Sequence, residues 1–259
     1  METNRIYNID NRFITTNLKD GSIDLILEDM PYNITRLHFE HKVDLPAYWS
    51  ERLRIIKDNG AIILTAQQPF ATDLINSCRK FFRYEIIWEK TMKLGFLNAK
   101  KMPLRGHENI LVFYKKLPIY NPQKYLVAQQ KGKTTMRGNG NSYDGYGEFK
   151  RIDYTDDGSR YPHSIVRFSN AHSTSLIAGA SEHFHPTQKP LELFCWLIKS
   201  YSSPGDLVFD GYCGSGTTAI ACLQERRRFI CSEIDPTYFR KSMERLNRYI
   251  SSIQKEDGI

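Results

Sequence analysis

One stretch near the carboxyl end constrains this chain more than any other: Val208-Phe209-Asp210-Gly211-Tyr212-Cys213-Gly214-Ser215-Gly216-Thr217-Thr218. A short apolar run ends in an acid, a Gly-rich turn follows, and Thr217 to Gln224 reads as helix. Strand, tight turn and helix in that order make half of an α/β unit. Glycines in such a turn reach backbone angles closed to other residues and let a ligand approach the main chain. The first N–H groups of the helix have no partner within it and suit an anionic or polar ligand group. Alone, the pattern is a weak sign of a nucleotide-type site and fits a plain connection between strand and helix better.

A second stretch narrows the choice. Ile23-Asp24-Leu25-Ile26-Leu27-Glu28 reads as a buried strand and runs straight into Asp29-Met30-Pro31-Tyr32. An acid, a Pro-stiffened turn and an aromatic at the carboxyl end of a strand stand where open α/β sheets hold their ligands. A third block, His185-Pro186-Thr187-Gln188-Lys189-Pro190, precedes the Gly-rich turn. Together the three blocks resemble the β-group DNA amino-methyltransferases, which methylate N6 of adenine or N4 of cytosine. The basic segment Gly95 to Lys101 and the run His107 to Phe113 resemble phage and prophage members in particular. The resemblance spans nearly the whole chain, with the catalytic block first and the cofactor block last.

The resemblance implies S-adenosylmethionine as cofactor, double-stranded DNA as partner, a homodimer as in many relatives, and no metal. It implies that Asp29 and the backbone carbonyl of Met30 hold the target amine, that Pro31 stiffens the turn and that Tyr32 stacks on a flipped base. The cofactor would lie against Asp210, Tyr212, Gly214, Ser215, Gly216, Thr217 and Thr218, with Glu233 at its ribose. His185, Thr187, Gln188 and Lys189 would hold its methionine end, with Lys189 at the carboxylate. Asp10 falls where relatives often place an acid near the adenine, although a surface turn explains Asn8 to Asn11 equally well. Two departures stand out: Met30 replaces the first Pro of the family's Pro-Pro pair, and Gly211-Tyr212 stands where Pro-Phe is commoner. Asp at the head of the catalytic block favours adenine N6, since Ser is commoner there among the cytosine N4 enzymes. A cytosine C5 enzyme needs a nucleophilic Cys, usually after Pro, and no Pro-Cys pair occurs.

Periodicity supplies the frame. Strands are expected at 61–66, 84–88, 109–114, 207–210 and 228–233. Helices are expected at 45–57, 69–82, 190–201, 217–224 and 236–250, the first closed by a left-handed cap at Gly60. Strands alternating with helices predict a Rossmann-like, doubly wound, mainly parallel sheet with helices on both faces. Residues 6–18 should pack at its edge. A dehydrogenase would carry its Gly-x-Gly-x-x-Gly turn near the amino terminus, and this turn lies near the other end.

Residues 117–183 have another texture: Gly, Asn, Tyr, Lys and Arg dominate, and apolar periodicity is nearly absent. A long insert of this kind is functional or floppy. In the family this place holds the target-recognition region, which divides the chain into 1–116 (catalytic half), 117–183 (target-recognition insert) and 184–259 (cofactor half). Residues 79–116 carry ten Lys or Arg against three Asp or Glu, with aromatics between them. That mix suits phosphate contacts and base stacking, or a solvated basic face. Lys93, Lys100, Lys101 and Arg105, in a basic loop from Lys90 to Glu108, are the candidate DNA contacts.

Five cysteines without a Cys-x-x-Cys pair give neither a disulfide framework nor a zinc site, and His38 with His41 lacks a third ligand. No apolar run approaches the ~18 residues a membrane span requires. The polar amino terminus leads into no apolar signal core, which predicts a cytoplasmic protein, bacterial or phage-encoded.

Overall fold

The computed structural model describes residues 1–31, 43–127, 157–170, 184, 185 and 187–256. The elements in order are β1 (Arg5–Tyr7), α1 (Asn11–Asn17), β2 (Ile23–Glu28), α2 (Leu45–Ile55), β3 (Ile56–Ala66), α3 (Phe70–Ser77), β4 (Phe82–Leu94) and β5 (Arg105–Phe113). They continue as β6 (Tyr125–Leu126), β7 (Ser159–Arg160), β8 (Ile165–Phe168), α4 (Leu191–Tyr201), β9 (Leu207–Asp210), α5 (Thr217–Gln224), β10 (Arg228–Ser232) and α6 (Pro236–Glu256).

Eight strands form one sheet in the order β1-β10-β9-β2-β3-β5-β4-β8. Five neighbouring pairs are parallel, and the two that β5 makes, with β3 and with β4, are antiparallel. The sheet is therefore mainly parallel, as the alternation of strands and helices predicts. β2 is apolar almost throughout because both of its faces are covered. Leu25 and Leu27 join a core with α4, α5 and α6, whereas Ile23 and Ile26 join one with α1, α2 and α3. β1 closes one edge against β10, so only the start of residues 6–18 lies at the sheet edge; Ile14 and Leu18 pack instead with Ile23 and Ile26 of the central β2.

Four local expectations change. The helix expected at 45–57 ends at Ile55, where Ile56 is already extended. Gly60 is no helix cap but lies inside β3: Ile23 pairs with Ile56 and Leu25 with Ala61, so residues 57–60 bulge from the ladder. A Cβ on Gly60 would lie 2.7 Å from the carbonyl oxygen of Asp24, which explains glycine there. The helix expected at 69–82 stops at Ser77, because Cys78 leaves the helical region at φ −139° and Phe82 turns inward against Phe113. Most of the basic loop expected at 90–108 is hairpin instead. β4 and β5 pair through Glu89–His107 and again at Leu94–Arg105; residues 90–93 bulge from that ladder, and the tip beyond it holds a 3₁₀ turn at Phe96–Asn98.

The chain divides into two compact units, Met1–Asn121 with Ser164–Ile259, and Pro122–His163. β8 falls within the segment read as insert, and it pairs in parallel with β4 in the larger unit. In the smaller unit β6 and β7 form an antiparallel pair, and Lys124 lies over the ring of Tyr161. No helix among the described residues is long and apolar enough to cross a membrane.

Candidate active site

β9 leads through α5 to β10 on one side of the sheet, and β2 leads through α2 to β3 on the other. The junction of β9 and β2 is thus a topological switch point, and a crevice opens beyond their carboxyl ends. A cavity of about 590 Å³ occupies it, within the ~300–1,000 Å³ of small-molecule sites. Its walls include Asp29, Met30 and Pro31 from the end of β2, and Asp210 to Ser215, Thr217 and Thr218 from β9, its turn and α5. His185, Thr187, Gln188 and Lys189 line it from the segment before α4, Glu233 and Ile234 from the end of β10, and Asp10 from the start of α1. The three separated sequence blocks therefore meet at one site. Tyr32 and Pro186, and the pair His38 and His41, lie outside the described residues.

Asp29 follows directly on the Glu28–Leu64 pair of β2 and β3, which sets it opposite Thr65. The Thr65 hydroxyl donates to Asp29 Oδ1, and Lys189 Nζ lies 2.7 Å from Asp29 Oδ2. Each carboxylate oxygen thus has a fixed partner, which sets the plane of the group. Lys189 also lies 2.9 Å from Glu108 Oε1, and Lys90 lies 2.6 Å from Glu108 Oε2. Burial pushes Glu108 up, but the ammonium groups of Lys189 and Lys90 more than reverse it and hold the carboxyl at about 2. Met30 is 1% exposed, and its side chain packs into the core beside α1 and α2. The residue that departs from the Pro-Pro pattern is thus an anchor for the turn.

The Gly-rich turn is held from beneath. Asp210 accepts from the Tyr212 N–H at 2.9 Å and from the Thr218 hydroxyl. Burial pushes its carboxyl up to about 8, against the pull of those two donors. Gly214 has φ +49°, a region that favours glycine, and a Cβ there would come within a tight 3.3 Å of the His185 ring. The Gly214 N–H donates to Glu233 Oε2 at 3.0 Å, and the Asp235 N–H donates to Oε1 at 2.8 Å. Ser215 and Thr217 are tied to Arg245 of α6, whose Nη1 donates to the Ser215 carbonyl and the Thr217 hydroxyl, each at 3.0 Å. Gly216 caps α5 and is not on the cavity wall. Asp10 caps α1 through the Arg12 N–H and pairs with the Arg12 side chain at 2.7 Å, contacts that hold its carboxyl below the usual range.

One group beside the cavity escaped the sequence reading. Glu28 and Arg52 form an ion pair at 2.8 Å with side chains 0% and 2% exposed. Glu28 also accepts from the Tyr48 hydroxyl at 2.5 Å and from the Gly211 N–H at 3.0 Å. Arg52 lies over the rings of Tyr48, Phe209 and Tyr212. A signal was present: Arg52 stands four residues after Tyr48 and three after Trp49, on the apolar stripe of its helix.

The candidate DNA contacts lie elsewhere on the larger unit. Lys93, Lys100, Lys101 and Arg105 are all exposed on or beside the tip of the β4–β5 hairpin. Phe96, Leu97, Met102 and Leu104 are exposed among them. Lys93 lies 3.2 Å from Glu89, and Arg105 donates to Gln67 at 2.9 Å.

Comparison with known proteins agrees with this geometry. A family model described as DNA methylase, of the N6/N4 type, matches residues 23–244. The DNA adenine methyltransferase YhdJ of Escherichia coli (strain K12) is 30% identical over 245 residues, covering 87% of this chain and 76% of that protein. The type II methyltransferase M.HpaI of Haemophilus parainfluenzae is 26% identical over 258 residues, covering 93% and 73%. Among solved structures, the M1.HpyAVI–SAM complex superposes with a TM-score of 0.64 at 22% identity, covering 94% of this chain and 98% of that one. The cytosine-N4-specific PvuII DNA methyltransferase superposes with a TM-score of 0.65 at 17% identity, covering 95% and 86%.

Proposed function

The chain belongs to the N6/N4 family of DNA methylases, and on that premise we propose that it methylates the N6 amine of an adenine swung out of double-stranded DNA. The class is that of S-adenosylmethionine-dependent DNA methyltransferases. One juxtaposition carries the reading: Asp29 and the Gly-rich turn from Asp210 to Thr217 open on a single cavity. The residues present suit the cofactor. Apolar walls from Phe194, Ile234 and Tyr238 accept an adenosyl group, and the carboxylate of Glu233, oriented by two backbone N–H groups, meets ribose hydroxyls.

The cofactor supplies a methyl group made electrophilic by its sulfonium. The chain must prepare the nucleophile. An exocyclic amine on adenine is weak because its lone pair is spread into the ring. Asp29 accepts one N–H and the Met30 carbonyl the other, which draws the nitrogen towards a pyramidal shape with the lone pair aimed at the methyl carbon. Bonds to a carboxylate are the stronger kind, and fixing the reacting atoms near contact lowers the barrier further. Tyr32 stacks on the extruded base. Lys93, Lys100, Lys101 and Arg105 hold DNA phosphates, and the segment from 117 to 183 reads the target sequence. Asp at position 29 supports adenine over cytosine.

The test is methyl transfer from labelled S-adenosylmethionine to unmethylated genomic DNA, followed by digestion to nucleosides. Label in N6-methyladenine is expected. Label in N4-methylcytosine would keep the mechanism and overturn the base. Absence of label with cofactor still bound would favour a catalytically impaired DNA-binding relative.

A further inference from the structure

Behind Asp29 the described residues carry an alternating line of buried charge. Lys90 Nζ meets Glu108 Oε2 at 2.6 Å, Glu108 Oε1 meets Lys189 Nζ at 2.9 Å, and Lys189 Nζ meets Asp29 Oδ2 at 2.7 Å. The four side chains are 6%, 2%, 7% and 16% exposed in that order. Only Asp29 and Lys189 reach the cavity wall; Glu108 and Lys90 stand behind them on the paired strands β5 and β4. Buried charges are tolerated when matched and are costly when a partner is removed. Burial pushes Lys189 down, and Asp29 and Glu108 outweigh it, so the ammonium stays charged.

The Thr65 hydroxyl and Lys189 already orient the Asp29 carboxylate. The two further charges do something else: Glu108 divides the Lys189 cation between two acids, and Lys90 offsets the negative charge that Glu108 adds. We propose that Glu108 and Lys90 are positioning residues that set the electrostatic balance at the methyl-transfer end of the cavity, so that the site accepts a cationic sulfonium beside the buried Lys189. This rests on the cofactor reading above. Without Glu108 the four positions carry one more positive charge than negative; without Lys90 they carry one more negative than positive. S-adenosylmethionine and S-adenosylhomocysteine differ by a methyl group and by the positive charge on sulfur. The ratio of their affinities therefore reports the charge balance, while interactions common to both ligands cancel.

The experiment is calorimetric titration of both ligands into the full chain as wild type, Glu108→Gln, Lys90→Met and the double variant, with thermal melts to verify folding. In Glu108→Gln the ratio should move about tenfold against S-adenosylmethionine, the scale of one added charge acting over ~10 Å at intermediate dielectric. In Lys90→Met it should move the opposite way, and in the double variant it should return to within about twofold of wild type. Should Glu108→Gln not fold, the sign of the shift in Lys90→Met decides the matter alone. Parallel weakening of both ligands, with the ratio unchanged, would overturn the inference and leave these residues a packing role. Wild-type protein that binds neither ligand would overturn the cofactor reading and this inference with it.

Discussion

Replacing Arg52 with methionine leaves the Glu28 carboxylate buried without its cation. The side chains are 2% and 0% exposed, so water reaches neither, and Arg52 also covers the rings of Tyr48 and Phe209 at 4.6 and 5.1 Å. Removing one partner of such a pair costs ~3–5 kcal/mol. The Tyr48 hydroxyl and the Gly211 N–H still donate to Glu28, which argues for the lower end, about 3 kcal/mol. With a urea m-value of about 3 kcal/mol/M, the unfolding midpoint should fall by about 1 M. Adding Glu28→Gln removes the stranded charge while keeping an acceptor for Gly211, and should recover about 2 kcal/mol. Urea titration followed by circular dichroism measures both. A single-variant shift under about 0.3 M, or a double variant no more stable than the single, would refute the argument that charge matching governs this site.

The other expectations are more direct. Asp29→Ala should abolish methyl transfer while S-adenosylmethionine binds within a few-fold of wild type by calorimetry; retained activity would end the assigned mechanism. Gly214→Val should weaken cofactor binding at least tenfold, since its side chain meets the His185 ring and an L-residue at φ +49° costs ~1 kcal/mol. Asp210, raised from 3.8 to about 8, is an acid whose folded form prefers the proton. Its stabilising effect is fully present below the unfolded value and lost as pH rises towards the folded one. Wild type should therefore lose stability relative to Asp210→Asn between those values, and urea melts at about pH 5 and about pH 8 would show a growing gap. Lys100→Ala with Lys101→Ala should lower the slope of log DNA affinity against log salt by up to ~2, one for each phosphate left without its lysine. An unchanged slope would remove the hairpin tip from the DNA surface.

How much was legible follows from what each feature depends on. β2 with Asp29, and β9 with its turn and α5, are local patterns: an apolar run, a turn residue and a chemical group within a dozen positions. The extension of β4 past Trp88 is not legible locally, because Glu89 and Lys90 look like loop residues and pairing with β5 and β8 keeps them extended. The cap at Gly60 failed because a close approach to Asp24 across strands, not a helix end, selects glycine there. That Lys189 meets Asp29, 160 positions away, and Glu108 has no local signal in the sequence. Arg52 and Glu28 are 24 apart, and no period links them. Long-range ionic partners are set by the sheet order, which local pattern does not carry.

Gly211 gives the buried pair a second meaning. Its N–H donates to Glu28, and a Cβ at this position would come within 2.7 Å of Arg52 Nη2 and 2.8 Å of Glu28 Oε1. The proline commoner at this place in the family has no N–H and carries a ring. Positions 28, 52 and 211 therefore form one contact unit, in which a substitution at any one disturbs the other two. A library randomised at 211 alone should return glycine. Proline should reappear only when 28 and 52 are freed with it.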